Sequence, residues 1–145
     1  MAALLDVNTL VALAWPNHVH HRAARSWFGR HHASGWATCP LTESGFVRVS
    51  SSPRATSEAR TPAEAVLLLR RLVALPGHRF WRDDVSRARD ETLELDRLVG
   101  HRQVTDAHLL LLAIRNGGRV VTFDRGLGQL VPPVHDPEEL LLLLA

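Results

Sequence analysis

Short apolar blocks separated by polar residues recur along the whole chain, and their spacing changes from block to block. Alternating or continuous short apolar runs predict strands at residues 2–6, 36–38, 78–81 and 119–123. Apolar residues at helical spacing predict helices at residues 8–14, 18–32, 40–49, 62–75, 86–99, 105–116 and 136–144. Residues 50–61 are polar and rich in serine and arginine, which predicts a mobile loop. The alternation of strands and helices predicts an α/β fold with a mainly parallel central sheet.

The size and composition are those of one globular domain. The chain has 145 residues, of which 46% are hydrophobic and 22% charged, so a single domain spanning residues 1–145 can bury a core. The one cysteine, Cys39, excludes an internal disulfide and fits a reducing compartment. No secretory signal is visible, and every apolar run is far shorter than the ~18–20 residues that span a bilayer. We therefore expect a cytoplasmic protein with no membrane partner.

Positive charge is carried entirely by arginine, since 17 residues are basic and lysine is absent. Codon bias in a GC-rich genome is the simplest explanation, although guanidinium groups also suit phosphate and stack on bases. If four of the 15 acidic residues share one pocket, arginine dominates the remaining surface. A basic surface with one acidic cleft is typical of enzymes that attract a polyanion and cut it with a metal.

Two aspartates directly follow apolar runs that predict buried strands. Asp6 follows Leu4 and Leu5, and Asp124 follows the run from Val120 to Phe123. In open α/β sheets, ligands bind beyond the carboxyl ends of the strands. We therefore expect Asp6 and Asp124 to share one crevice.

Two further acids lie on the apolar faces of predicted helices. The residues three and four positions after Glu43 are Phe46 and Val47, and Asp106 has Leu109 and Leu110 in the same relation. A carboxylate on an apolar face is costly unless a partner neutralises it. Glu43 and Asp106 are therefore predicted to reach the same crevice from their helices.

Each acid, taken singly, has a structural alternative. Asp6 could cap the helix that follows it, and Asp124 could be a turn residue. Asp106 could interact with the helix dipole beside Thr105 as the N-cap. Glu43 on an inward face is harder to explain in this way. Four acids at one predicted edge of the sheet favour a shared site over four separate accidents.

Converging carboxylates predict a bound divalent cation, because they repel one another unless a cation neutralises them. Oxygen ligands, no nearby cysteine and few candidate histidines favour Mg²⁺ or Mn²⁺. Such an ion lowers the pKa of bound water and polarises a phosphodiester. The expected reaction is in-line attack of metal-activated water on phosphorus, with no covalent enzyme intermediate.

Four short motifs, in this order, resemble the successive motifs of PIN-domain proteins: LLDVN at residues 4–8, TE at 42–43, VTDA at 104–107 and VTFDR at 121–125. The resemblance is closest to VapC-type toxins of bacterial toxin–antitoxin pairs, in the branch common in mycobacteria. It extends from Ala2 to about Leu127, and the order and spacing of the four acids make it specific.

The resemblance implies a three-layer α/β/α fold and an endoribonuclease that depends on Mg²⁺ or Mn²⁺. It implies cleavage of tRNA, rRNA or mRNA to leave a 5′-phosphate and a 3′-hydroxyl, which inhibits translation. It also implies a homodimer that a VapB-type antitoxin neutralises in a heterotetramer or a larger assembly, often by placing an arginine near the metal site.

The same resemblance assigns roles to particular residues. Asp6 and Asp106 look like the main metal ligands, and Glu43 and Asp124 would complete the site directly or through water. The residues that match or adjoin positions supporting the acids are Asn8, Thr105 and Thr122.

Weaker signals allow simpler explanations. His18, His20 and His21 could chelate Zn²⁺ or Ni²⁺, but capping or packing at a helix start is the favoured explanation of the cluster. His108 could line the mouth of the cleft, although a surface position is the default, and Arg125 could contact a substrate phosphate.

Three other functions are alternatives. The run from Asp6 to Thr9 faintly resembles the phosphatase motif of haloacid dehalogenases, but that chemistry relies on a lysine and this chain has none. A second alternative is a non-catalytic PIN-like module that binds nucleic acid, but the intact acids argue against it. A third is a DNA-cutting nuclease with the same site, which differs from a ribonuclease in its substrate.

Overall fold

The computed structural model describes residues 1–55 and 59–145 and is built around a parallel sheet. Its strands are β1 (Ala3–Leu5), β2 (Trp36–Thr38), β3 (His78–Phe80), β4 (Arg119–Thr122) and β5 (Leu141–Leu143). They lie in the order β3-β2-β1-β4-β5, and every neighbouring pair is parallel. The predicted parallel sheet is confirmed.

Helices cover both faces of the sheet. They are α1 (Val7–Ala14), α2 (His21–His31), α3 (Pro40–Ser50), α4 (Pro62–Val73), α5 (Gln103–Arg115) and α6 (Pro137–Leu140). Short 3-10 helices follow at His32–Ser34, Leu95–Arg97 and Arg125–Leu130. Two of the longer helices begin at proline, α3 at Pro40 and α4 at Pro62, because a first-turn residue needs no backbone N–H donor.

Two apolar cores, one on each face of the sheet, define the three layers. One core lies between the sheet and helices α1, α2, α3 and α4, and it includes the fully buried Trp36 and Phe46. The other lies under α5 and includes Leu109, Leu110 and Leu112. The fold is therefore a three-layer α/β/α sandwich, as expected.

The order in which strands are added to the sheet switches sides between β1 and β4. After β1 it adds β2 and then β3 on one side, and it later places β4 and β5 on the other side of β1. Ligands in such sheets bind outside the carboxyl ends of the strands at this switch point. Asp6 follows β1 directly, and Asp124 follows β4 by two residues.

The C-terminal segment corrects one prediction, because the helix expected at 136–144 ends at Leu140 and the leucines that follow form β5. Without β5, the hydrogen-bonding edge of β4 would be unpaired. The pairing aligns Val120 with Leu141 and extends to a 2.8 Å hydrogen bond from Leu144 N to Thr122 O. A run of leucines does not by itself distinguish a strand from a buried helix.

The helix expected at 86–99 is also wrong, since the only helix there is the 3-10 turn Leu95–Arg97. Asp90 accepts hydrogen bonds from the backbone N–H groups of Thr92 and Leu93. Such local bonds compete with helical pairing. Of the loop predicted at 50–61, residues 56–58 lie outside the described residues, and Ser50 belongs to α3.

Within the described ranges, we find no helix with the length and apolar character needed to cross a membrane.

Candidate active site

Asp6 is fixed by the start of α1. Its Oδ1 accepts a 2.8 Å hydrogen bond from Thr9 N, so the residue caps the helix, and only 6% of it is exposed. Burial raises the pKa of the Asp6 carboxyl, hydrogen bonds with Thr122 and Thr9 oppose the shift, and the charge of Asp124 adds to it. Asp6 is thus a cap and also a buried carboxylate that gains from a nearby cation.

Asp124 is fixed by the turn that leaves β4. Its backbone N–H donates to Thr122 Oγ1 at 2.9 Å, and its Oδ1 accepts from Gly126 N at 2.8 Å. A Cβ added at Gly126 would lie 3.1 Å from this Oδ1, so glycine lets the backbone approach the carboxylate closely. The buried Thr122 therefore connects Asp124 to Asp6.

Asp106 reaches the same region from the face of the sheet opposite α1, and it lies in the first turn of α5. Burial, followed by the charges of Asp6 and Asp124, raises the pKa of Asp106 to about 6. The helix begins at Gln103 with Arg102 at the N-cap, so Thr105 lies inside the helix and is not its cap. Because the charges of Asp6 and Asp124 both act on the pKa of Asp106, the three aspartates lie in one electrostatic environment.

A cavity of about 280 Å³ joins these residues at the carboxyl ends of β1 and β4. It is lined by Asp6, Val7, Asn8, Val11, Val49, Thr105, Asp106, Leu109 and Asp124. Three of the four predicted acids therefore line one cavity. A larger cavity of about 640 Å³ lies between the end of α1 and α4, but its lining is mostly apolar and basic.

Glu43 is not brought into this cavity. It lies in the first turn of α3, and its Oε2 accepts a 2.6 Å hydrogen bond from the hydroxyl of Thr38. The same hydroxyl oxygen lies 2.8 Å from Nε2 of His78. Burial lowers the pKa of His78, and the charge of Glu43 opposes that shift. The fourth predicted acid is therefore held beside the site by residues that the sequence did not single out.

The donor set fits a hard divalent cation. The cavity offers carboxylate oxygens, and burial together with neighbouring aspartate charges raises the pKa values of Asp6 and Asp106, which a bound cation would offset. As placed, no three acidic, histidine or cysteine side chains within residues 1–55 and 59–145 are close enough together to hold an ion. Binding would therefore require the carboxylates to rotate inward.

The other predicted site residues fall in different places. Asn8 and Thr105 are exposed at the cavity, and Arg125 is exposed next to Asp124. His108 is buried, 9% exposed, and its Nε2 lies 2.8 Å from Asp83 Oδ2. The surface position predicted for His108 is therefore wrong, and its ring faces Asp83.

The three clustered histidines take structural positions. His18 Nδ1 accepts from the backbone of His20, and the ring of His21 bonds to Ala12 O at 2.9 Å. The ring of His20 stacks on Phe123 with the centroids 4.3 Å apart. The pKa of His18 is lowered by burial and by its two histidine neighbours.

Thr9, Thr38, His78 and Asp83 are the polar residues that sequence reasoning missed around the site. Thr38 could have been found from the sequence, because it ends a short apolar strand at the same edge of the sheet as Asp6 and Asp124. The bonds of His78 and Asp83 depend on long-range pairing, and no local pattern announces them.

Comparison with known proteins agrees with this architecture. The PIN domain family matches residues 3–131, which is most of the chain. Three relatives from Mycobacterium tuberculosis are similar over nearly their whole length. Ribonuclease VapC38 is 54% identical over 98% of this chain and 99% of the relative. Ribonuclease VapC39 is 51% identical over 88% and 91%, and Ribonuclease VapC44 is 42% identical over 99% and 100%. This chain belongs to the PIN-domain family.

Proposed function

We propose that this protein is a divalent-metal-dependent endoribonuclease and the toxin of a VapBC-type toxin–antitoxin pair. The observation that carries the proposal is the cavity at the switch point of the sheet, which Asp6, Asp106 and Asp124 all line. Relatives named as VapC ribonucleases, up to 54% identical over nearly the whole chain, support the same activity. We also propose that residues 1–145 form one PIN domain, since the family match covers residues 3–131.

The roles of the residues follow from their surroundings. A divalent cation bound at the cavity would supply a water of lowered pKa and neutralise charge on the scissile phosphate. Asp6 and Asp106, whose pKa values are raised, gain most from that charge and are the proposed main ligands. Asp124, which lines the cavity, and Glu43, which lies outside it, would complete the metal site directly or through water. Thr122 orients Asp6 and Asp124.

The proposed substrate is RNA. Seventeen arginines against 15 acidic residues, with three aspartates drawn into one cavity, leave a positive excess over the surface. Such a surface attracts a polyanion toward the cleft. The exposed Arg125 beside Asp124 is positioned to contact a phosphate. The proposed consequence is inhibition of translation by cleavage of tRNA, rRNA or mRNA.

The proposed partners follow from the VapC relationship. The antitoxin would be a VapB-type protein, and the toxin would form a homodimer that joins it in a heterotetramer or larger complex. A cytoplasmic location follows for an enzyme that acts on translation.

Cleavage of RNA with and without Mg²⁺ tests the proposal. We expect wild-type protein to cut RNA with Mg²⁺ or Mn²⁺ and to stop when the ion is chelated. Asp6→Asn and Asp106→Asn should abolish cutting, whereas Asp96→Asn, at an exposed position, should leave it unchanged. RNA binding without cutting would favour a non-catalytic module, and cutting of DNA alone would favour a DNA nuclease. Retained RNA cleavage in both site variants would refute the assigned roles.

A further inference from the structure

A chain of hydrogen bonds lies beside the aspartate cavity and ends on Glu43. Thr38, at the end of β2, is fully buried, and its hydroxyl lies 2.6 Å from Glu43 Oε2 and 2.8 Å from His78 Nε2. In the sheet, His78 of β3 pairs with Trp36, two residues before Thr38. The imidazole therefore reaches Thr38 from the neighbouring strand, and its ring packs edge-on against Trp36 with centroids 4.7 Å apart.

The chemistry of the three groups determines which of them donates each hydrogen bond. A threonine hydroxyl has one proton to donate, and an ionised carboxylate can only accept. The Thr38 hydroxyl therefore donates to Glu43, and its oxygen is left to accept from Nε2–H of His78. His78 must carry a proton on Nε2 for every contact to be a hydrogen bond.

This arrangement engages one oxygen of Glu43 and leaves the other available. Among the residues that the structure describes, Oε1 of Glu43 accepts no hydrogen bond, while Oε2 is held by Thr38. The helix that carries Glu43 also packs tightly next to Asp6, because a Cβ added at Gly45 would lie 2.5 Å from Cγ2 of Val7. The backbone of Glu43 and the cavity are therefore held in a close, fixed relation.

We propose that Thr38 and His78 are positioning residues: they hold one oxygen of Glu43 and leave the other available to a cation bound by the aspartates. The role rests on the proposed metal-dependent function and adds two residues to it. Partners of this kind typically change metal affinity by about 10–100-fold when they are removed. A purely structural role would change stability and leave metal affinity unaltered.

Matched substitutions separate the two roles. Thr38→Val keeps the shape and removes the hydroxyl, whereas Thr38→Ser keeps the hydroxyl. His78→Phe keeps a ring against Trp36 and removes the donor, whereas His78→Gln keeps an N–H at a similar reach. His32→Phe is the control for loss of an imidazole, since His32 also packs against an aromatic ring, that of Phe28.

Calorimetric titration of the full chain with Mn²⁺, without RNA, is the deciding measurement. We expect Thr38→Val and His78→Phe to weaken binding about 10-fold, and Thr38→Ser, His78→Gln and His32→Phe to bind nearly as wild type does. Nitrogen NMR of the His78 imidazole should show the proton on Nε2. If His78→Phe does not fold, Thr38→Val decides the matter.

Two results have different meanings. Wild-type affinity in the folded Thr38→Val and His78→Phe variants would overturn the positioning role while leaving the proposed function intact. Absence of Mn²⁺ binding by wild type would overturn the proposed function and the positioning role together.

Discussion

Replacing Asp106 by asparagine removes one charge from the aspartate cavity with almost no change in shape. In the protein without metal, the pKa of Asp106 rises from 3.8 to about 6, first through burial and then through the charges of Asp6 and Asp124. A raised pKa means that the folded state holds the proton more tightly than the unfolded state does. The resulting stability is present below about pH 4 and is lost as the pH rises through about 6.

The size of the effect follows from the shift. Each pKa unit corresponds to about 1.4 kcal/mol, which sets an upper limit of about 3 kcal/mol for this change. Asp106 is only partly buried, and solvent screening reduces the figure to about 1 kcal/mol. For a chain of this size, that difference moves the midpoint of thermal unfolding by about 2–4 °C.

Thermal unfolding in the presence of a chelator measures the effect. At pH 7.5, Asp106→Asn should melt about 2–4 °C above wild type, and at pH 4 the two proteins should melt together. Adding Mn²⁺ at pH 7.5 should raise the melting temperature of wild type and leave the variant nearly unchanged. A variant that is equally destabilised at both pH values would show that Asp106 has a structural role and that its ionised carboxylate does not destabilise the folded protein.

Two further substitutions test residues around the cavity. Thr122→Val keeps the buried volume but removes the hydroxyl that serves both Asp6 and Asp124, so we expect at least a 10-fold loss of RNA cleavage, while Thr122→Ser retains activity. His108→Leu removes the buried bond to Asp83 and should lower the free energy of unfolding by about 2 kcal/mol in urea titrations. Unchanged cleavage in the first case, or unchanged stability in the second, would contradict these roles.

Local pattern sufficed for the elements that position the site. Asp6 and Asp124 were predictable because each follows a strand whose residues are buried on both faces, and such strands form continuous apolar runs. Asp106 was predictable because its helix presents Leu109 and Leu110 on the same side. Asp6 is buried and Asp106 partly buried, so each of these two acids lies where burial of a charge is costly, whereas Asp124 is exposed at the edge of the same cavity.

Features that depend on long-range pairing could not be predicted in the same way. The leucines of β5 satisfy a strand or a helix equally well, and the unpaired edge of β4 decides between them. The orientation of Glu43 depends on Thr38 and His78, which meet only because β2 and β3 pair in one register. A sequence pattern specifies which residues face inward, but not which hydrogen bond a long side chain forms.

Diffraction from crystals grown with Mn²⁺ tests the central claim most directly. We expect an anomalous peak in the cavity at the ends of β1 and β4, within coordination distance of carboxylate oxygens of Asp6, Asp106 and Asp124. A fully occupied ion bound at another place, with these three aspartates still apart, would contradict the assignment of this cavity as the metal centre.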